Sequence, residues 1–143
     1  MKHTNTELVA MMATLHPTLH EGVVVFCVLQ DQTYARALPV IATIAEPEGT
    51  SLVLREDDAM AAGLDIQYRA AWITLNVQSK LSAVGLTAAV SAALADRGIS
   101  CNVIAGVHHD HLFVPEDSGH NALNTLRSIP SHYFQNQLRS PLW

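Results

Sequence analysis

Apolar positions along this chain recur with two spacings, one helical and one alternating, and the switches between them mark out its elements. Leu8, Met11, Met12 and Leu15 fall at i, i+3, i+4 and i+7, and Thr4 with Glu7 has the spacing of a capping box, so a short amphipathic helix is expected there. Pro17 stops it, because the residue before a proline avoids helical geometry. The run from Gly22 to Leu29 is apolar on both faces, which predicts a central strand covered on each side. A polar, turn-like stretch from Gln30 to Ala37 follows. Pro39 to Ala45 and Thr50 to Leu54 then flank the turn Glu46-Pro47-Glu48-Gly49, a hairpin pattern. Glu56 to Ala62 reads as a short helix ended by Gly63, since glycine accepts the left-handed conformation found at helix ends.

The second half repeats this plan. From Tyr68 to Val77, Ala71, Ile73, Leu75 and Val77 alternate with Trp72, Thr74 and Asn76, so a strand is expected. Gln78-Ser79-Lys80 is a connection. Ser82 can cap a helix running to Arg97, with Leu86, Val90, Ala93 and Leu94 as its buried stripe and Gly98 closing it. Ser100 to Val107 and His111 to Val114 read as strands around a turn. A last helix starts at Pro115 to Asp117, turns Ala122, Leu123, Leu126 and Ile129 inward and ends at Pro130. The tail 131–143 carries no clear pattern. Leu52 to Ala59 can be laid over Leu112 to Gly119, each a strand running into an acidic helix start, so the chain reads as a duplicated unit. The expected modules are residues 1–66 and 67–130. Their fold class is α+β and ferredoxin-like, an antiparallel sheet with helices on one face.

Composition narrows the function classes. The 143 residues are 49% hydrophobic and 15% charged, as in a chain with a packed core. The eight Lys and Arg are scattered singly in a chain of net charge -5, so no basic stripe exists for nucleic acid. The longest nearly apolar run, Leu81 to Ala95, is shorter than the roughly 20 residues a membrane helix needs, and the start of the chain lacks the apolar core of a signal peptide. A cytoplasmic location is expected, with no membrane partner. Cys27 and Cys101 both lie in apolar strand patterns and read as reduced core thiols. Phosphate-loop, dinucleotide and serine-hydrolase motifs are missing, and neither cysteine has the electropositive setting of a nucleophile, so no catalysis and no cofactor are expected. The acidic residues Glu46, Glu48, Glu56, Asp57 and Asp58 suit a turn and a helix start.

Four stretches together resemble a known family: Trp72-Ile73-Thr74-Leu75, Ala83 to Val90, Ile99 to Gly106, and His109 to Val114. They look like bacterial tandem ACT-domain proteins, whose members are mostly of unassigned function. The likeness continues more weakly through Val25-Phe26-Cys27 and Glu46 to Thr50, and the first module departs from the pattern in lacking a long helix after its first strand. The resemblance implies βαββαβ modules that associate edge to edge or sheet to sheet. It also implies binding of a small ligand, often an amino acid, where two modules meet, and a homodimer or higher homo-oligomer.

The residues supply their own reason for a site. A helix starting at Ser82 leaves unpaired amides around Ala83, Val84 and Gly85, where a carboxylate is favoured. Gly85 permits close approach, and Ser79, Ser82 and Thr87 add hydroxyls. Asn102 could add an amide. The candidate ligand-binding set is Gln78, Ser79, Ser82, Val84, Gly85, Leu86, Thr87 and Asn102. The plainer alternative makes Ser82 only a cap and Gly85 only a packing contact. His108-His109-Asp110-His111 offers a second possibility, because His109 and His111 at i and i+2 of a strand could chelate a metal. Asp110 would then face the other way, and a hairpin turn fits the same residues, with Asp110 bonded to the backbone and the histidines solvated or lining a groove between the modules. His16, His20, His120 and His132 are isolated and read as surface residues.

Overall fold

The segment Tyr68–Asn76 (β5) organises the computed structural model, which describes residues 3–31, 36–77 and 80–139, with side chains for 7–31, 36–77 and 80–131. Its strict alternation places Ala71, Ile73 and Leu75 on one face and Ala70, Trp72 and Thr74 on the other. Around it run α1 (His3–Ala13), β1 (His16–Leu19), β2 (Val24–Leu29), β3 (Val40–Glu46), β4 (Gly49–Arg55) and α2 (Glu56–Ala61). After β5 come α3 (Leu86–Asp96), β6 (Asn102–Ala105), β7 (Asp110–Pro115), a single 3-10 turn (Glu116–Ser118) and α4 (Gly119–Arg139).

All seven strands form one antiparallel sheet in the order β3-β4-β2-β5-β7-β6. On the edge of β5 away from β7, Tyr68 to Ala70 pair with β2, whereas Ile73 to Asn76 pair with β1. β1 and β2 therefore lie end to end along one strand, broken at residues 20–23. This architecture is the expected α+β, ferredoxin-like arrangement, with helices on one face. The face bearing Ala71, Ile73 and Leu75 packs under α1, α3 and α4 in a core that includes Met12, Val90, Leu94, Leu112 and Leu126. Val25, Cys27, Leu52 and Leu54 face α2 through Ala59. On the opposite face, Val24, Val53, Ala70 and Phe113 are buried in a cluster with no helical residue among the described side chains, under Phe26, Tyr68 and Trp72.

Several expectations need correction. β1 is missing from the sequence reading because its four residues contain Pro17; proline is tolerated here because β1 pairs with β5 alone. The helix expected from Ser82 begins at Leu86. Gly85, at φ +103, caps it, and residues 81–84 form a turn in which the Ala83 amide donates to the Lys80 carbonyl at 2.9 Å. The last helix does not end at Pro130 but continues to Arg139. Proline removes one donor, and the buried Leu126 and Ile129 anchor the helix where that bond is lost. Cys101 sits just before β6 and is half-buried, while Cys27 is buried in β2; both are free. The Thr4 side chain, residues 32–35 of the stretch after Gln30 and the end of the tail lie outside the described residues.

The two halves are joined by packing that ignores their order in the chain. α1 and β1 belong to the first 66 residues, yet Met11, Met12 and Leu15 share one core with Val90, Leu112 and Leu126. The sequence repeat also has a structural counterpart: β4 runs into α2 at Glu56, and β7 into the 3-10 turn at Glu116. Arg69 of β5 stands between them, paired with Glu56 and, through Nε, with Glu116 Oε2 at 2.9 Å.

Candidate functional site

Two connections meet beside the start of α3. One is the loop from β5 to α3, in which Lys80 and Leu81 lead through the turn at Ala83 to Gly85. Gly85 is required there twice over, by its positive φ and because a Cβ would come within 3.0 Å of Leu8 Cδ2. The other is the turn between β6 and β7, closed by the Gly106 amide donating to the His109 carbonyl at 2.8 Å. Between them lies a cavity of about 90 Å³ lined by Lys80, Ala83, Leu86, Thr87 and residues 105–110.

Of the expected ligand residues, Leu86 and Thr87 line this cavity. Leu86 does so from the core, where it is buried, and Thr87 from the exposed first turn of α3. Ser82 is an exposed turn residue and does not cap the helix. Val84 is 65% exposed, and Gly85 serves as the cap. Asn102 is exposed at the start of β6 opposite Phe113, outside the cavity lining. Gln78 and Ser79 lie outside the described residues. Lys80 and the turn at 105–110 join Leu86 and Thr87 in the lining; a lone lysine in a loop carries no pattern in the sequence.

The unpaired amides of the first turn fall on Leu86, Thr87 and Ala88, a few residues later than a Ser82 start would put them. Leu86 and Thr87 line the cavity together with Lys80, whose charge favours an anionic group, and with Asp110, whose carboxylate opposes one. Leu81, Val84 and Val107 form an exposed apolar rim on both connections.

The same turn carries the two histidines of the metal alternative. His108 and His109 are exposed. His111 is turned onto the helix-free face of the sheet, where Trp72 Nε1 donates to its Nδ1 at 3.1 Å and Thr74 Oγ1 lies 3.1 Å from the same nitrogen. Among the described residues, no group of three or more His, Cys, Asp or Glu side chains is placed to hold a metal ion. His20 also departs from expectation: it is half-buried, stacked on Trp72 with ring centroids 3.6 Å apart, and its Nε2 lies 2.7 Å from Thr74 Oγ1. Burial, with Arg55 and His111 nearby, lowers the His20 pKa below its usual value; burial and His109 lower that of His111, against Asp110. Burial pushes the Cys101 thiol up to about 11 and, with Asp65, raises that of Cys27.

A second, open groove of about 620 Å³ runs between residues 17–22 and the start of α4, with Glu21, Asp117, His120 and Arg127 on its walls. Among the described residues, no helix is long and apolar enough to cross a membrane.

Comparison with known proteins fits this geometry. An ACT domain match spans residues 4–71 and a second ACT domain match spans residues 67–128. No curated protein matches the chain. Among solved structures, VC0802 from Vibrio cholerae, a protein of unknown function described as a possible transport protein, is 41% identical. It superimposes with a TM-score of 0.79 over 87% of this chain and 97% of its own. Atu0741 from Agrobacterium tumefaciens shares the fold at 15% identity and TM-score 0.62, covering 81% of this chain and 89% of its own. The regulatory subunit of aspartate kinase from Thermus flavus does so at 14% identity and TM-score 0.58, covering 81% and 96%. With one ACT domain match in each half, and the Vibrio cholerae protein alike over nearly the whole chain, the protein belongs to the ACT domain family and carries two such domains in tandem.

Proposed function

We propose that this chain is a regulatory module that binds a small zwitterionic or anionic molecule, an amino acid in the first instance, and has no catalytic activity of its own. The observation that carries the reading is the cleft between the β5–α3 loop and the β6–β7 turn, where Lys80 and the first two residues of α3 line one cavity. Its volume of about 90 Å³ is well below the roughly 300 to 1,000 Å³ of complete ligand pockets, so it holds one end of such a ligand. The exposed rim of Leu81, Val84 and Val107 supports closure of the remainder by a second copy of the chain. The absence of catalysis is supported by the two thiols, whose raised pKa values leave little thiolate near neutral pH. The aspartate kinase regulatory subunit with the same fold favours a regulatory role.

The test is a thermal-shift panel of the common amino acids on the purified chain, run beside Lys80→Ala. The expected result is a melting temperature that rises with the logarithm of one ligand's concentration, corresponding to about 2.7 kcal/mol at a hundredfold excess over Kd. Lys80→Ala should weaken that response without lowering the melting temperature of the free protein. Flat responses across the panel would sink the reading.

A further inference from the structure

The helix-free face holds a hydrogen-bonded chain whose directions follow from which atoms can donate. The Trp72 indole has a hydrogen and no acceptor, so His111 Nδ1, 3.1 Å away, must be the acceptor. Neutral His111 therefore carries its proton on Nε2. Thr74 Oγ1 lies 3.1 Å from the same Nδ1, and since that nitrogen has no hydrogen to give, the Thr74 hydroxyl can bond it only as a donor, sharing its single in-plane lone pair with the Trp72 hydrogen. With its hydrogen so placed, Thr74 accepts from His20 Nε2 at 2.7 Å; turned the other way, the hydroxyl would donate to His20 and give up His111. His20 also lies flat against Trp72, at 13° between ring planes. One direction runs through the set, from His20 to Thr74 to His111, with Trp72 closing the end.

Placement gives this set its consequence. Thr74 and Trp72 belong to β5, and His111 belongs to β7. His20 follows β1 at the break where the chain crosses toward β2, and its amide continues the ladder by donating to the Trp72 carbonyl at 2.9 Å. We propose that these four side chains are a proton-sensitive latch that fastens β1 and β7 to β5, closed while both imidazoles are neutral and opened when His111 takes a proton. A proton on Nδ1 occupies the direction in which the Trp72 hydrogen already points, so charging His111 turns away two donors at once. When Trp72 moves, His20 loses its stacking surface.

The charged and titratable groups around the pair divide in their effect. Arg55 of β4 opposes charge on His20, His109 of the β6–β7 turn opposes it on His111, and Asp110 favours it on His111. Glu21 is adjacent to His20 and exposed, and His16 lies at the far end of β1. The cross-strand neighbours Thr18 and Ile104 are uncharged. With both pKa values lowered, the folded protein binds fewer protons than the unfolded chain near pH 6. The stabilisation is then fully present above the unfolded value of about 6.5, and is lost as pH falls from there through the folded values.

The test uses the full chain. Long-range proton–nitrogen NMR at pH 7.5 should show His111 as the Nε2–H form, with a titration midpoint below about 6.5. Thr74→Val, which removes one donor to Nδ1, should raise that midpoint, and Thr74→Ser should leave it in place. Urea unfolding between pH 8 and 5 should show less loss of stability with acid in His111→Asn, whose amide oxygen can accept in place of Nδ1 and takes no proton. An Nδ1–H tautomer in the unsubstituted protein overturns the latch. So does an acid loss in His111→Asn equal to that of the parent. The tautomer measurement needs no substitution and therefore decides the matter even where a variant fails to fold.

Discussion

Gly85 and Gly63 both hold positive φ, and they separate two costs of replacing a glycine. At Gly63, φ is +66 and nothing lies within 4 Å of a built Cβ, so Gly63→Ala should lose only the conformational term of about 1 to 2 kcal/mol. At Gly85, the same term is joined by a contact of 3.0 Å with Leu8, so Gly85→Ala should cost more in a urea titration, and Leu8→Ala should recover part of the difference. The thiols give a second residue-level prediction. With Cys101 pushed up to about 11 and Cys27 buried, a disulfide reagent at pH 8 should modify neither quickly in the folded protein, and both promptly in urea. A rapidly reacting thiol in native buffer would contradict the burial described for it. Single positions of this kind were half visible beforehand. The apolar setting of Cys27 was plain in its neighbours, whereas the pairing of His20 with Thr74 spans 54 positions and leaves no local trace.

Elements whose alternation is long and regular were legible from the chain alone. β5, with nine residues, and β7, with the consecutive apolar residues Leu112, Phe113 and Val114, declared themselves, and so did the buried stripe of α3 through Leu86, Val90 and Leu94. The start of α3 did not, because Ser82 looks like a cap and residues 81–84 are compatible with helix; only the backbone of Gly85 moves the boundary. The candidate site shifted with it, keeping Leu86 and Thr87 but exchanging Ser82 for Lys80 and a turn some twenty residues further along the chain. β1 was hidden by its proline and its four-residue length. At this scale, Leu126→Ala in α4 should cost about 2 to 5 kcal/mol, since its side chain is fully buried among α1, α3 and the sheet. Arg69→Ala should cost more than the at most about 1 kcal/mol of an exposed pair, because the Glu56 Oε2 it pairs with is buried and has no hydrogen-bond partner besides it among the described residues, and the share that comes from exposed Glu116 should shrink in high salt. Unfolding in urea at low and high ionic strength compares the two.

For the whole molecule, the duplication read from Leu52 to Ala59 against Leu112 to Gly119 described the order of strands but not the allocation of the core. That failure has a physical cause: the pattern of a single segment says which face is buried, never which partner buries it. The consequence lies in β5, which gives its first residues to β2 and its last to β1 while holding β7 along its other edge. A protein laid out in this way has no seam. Brief treatment with a protease should release no durable half, and a fragment beginning at residue 67 should fail to protect its amide hydrogens from exchange, lacking the Met12 and Leu15 that close its interior. Calorimetry should accordingly record one transition rather than two, so that whatever loads one repeat is felt by its sibling through a shared beam.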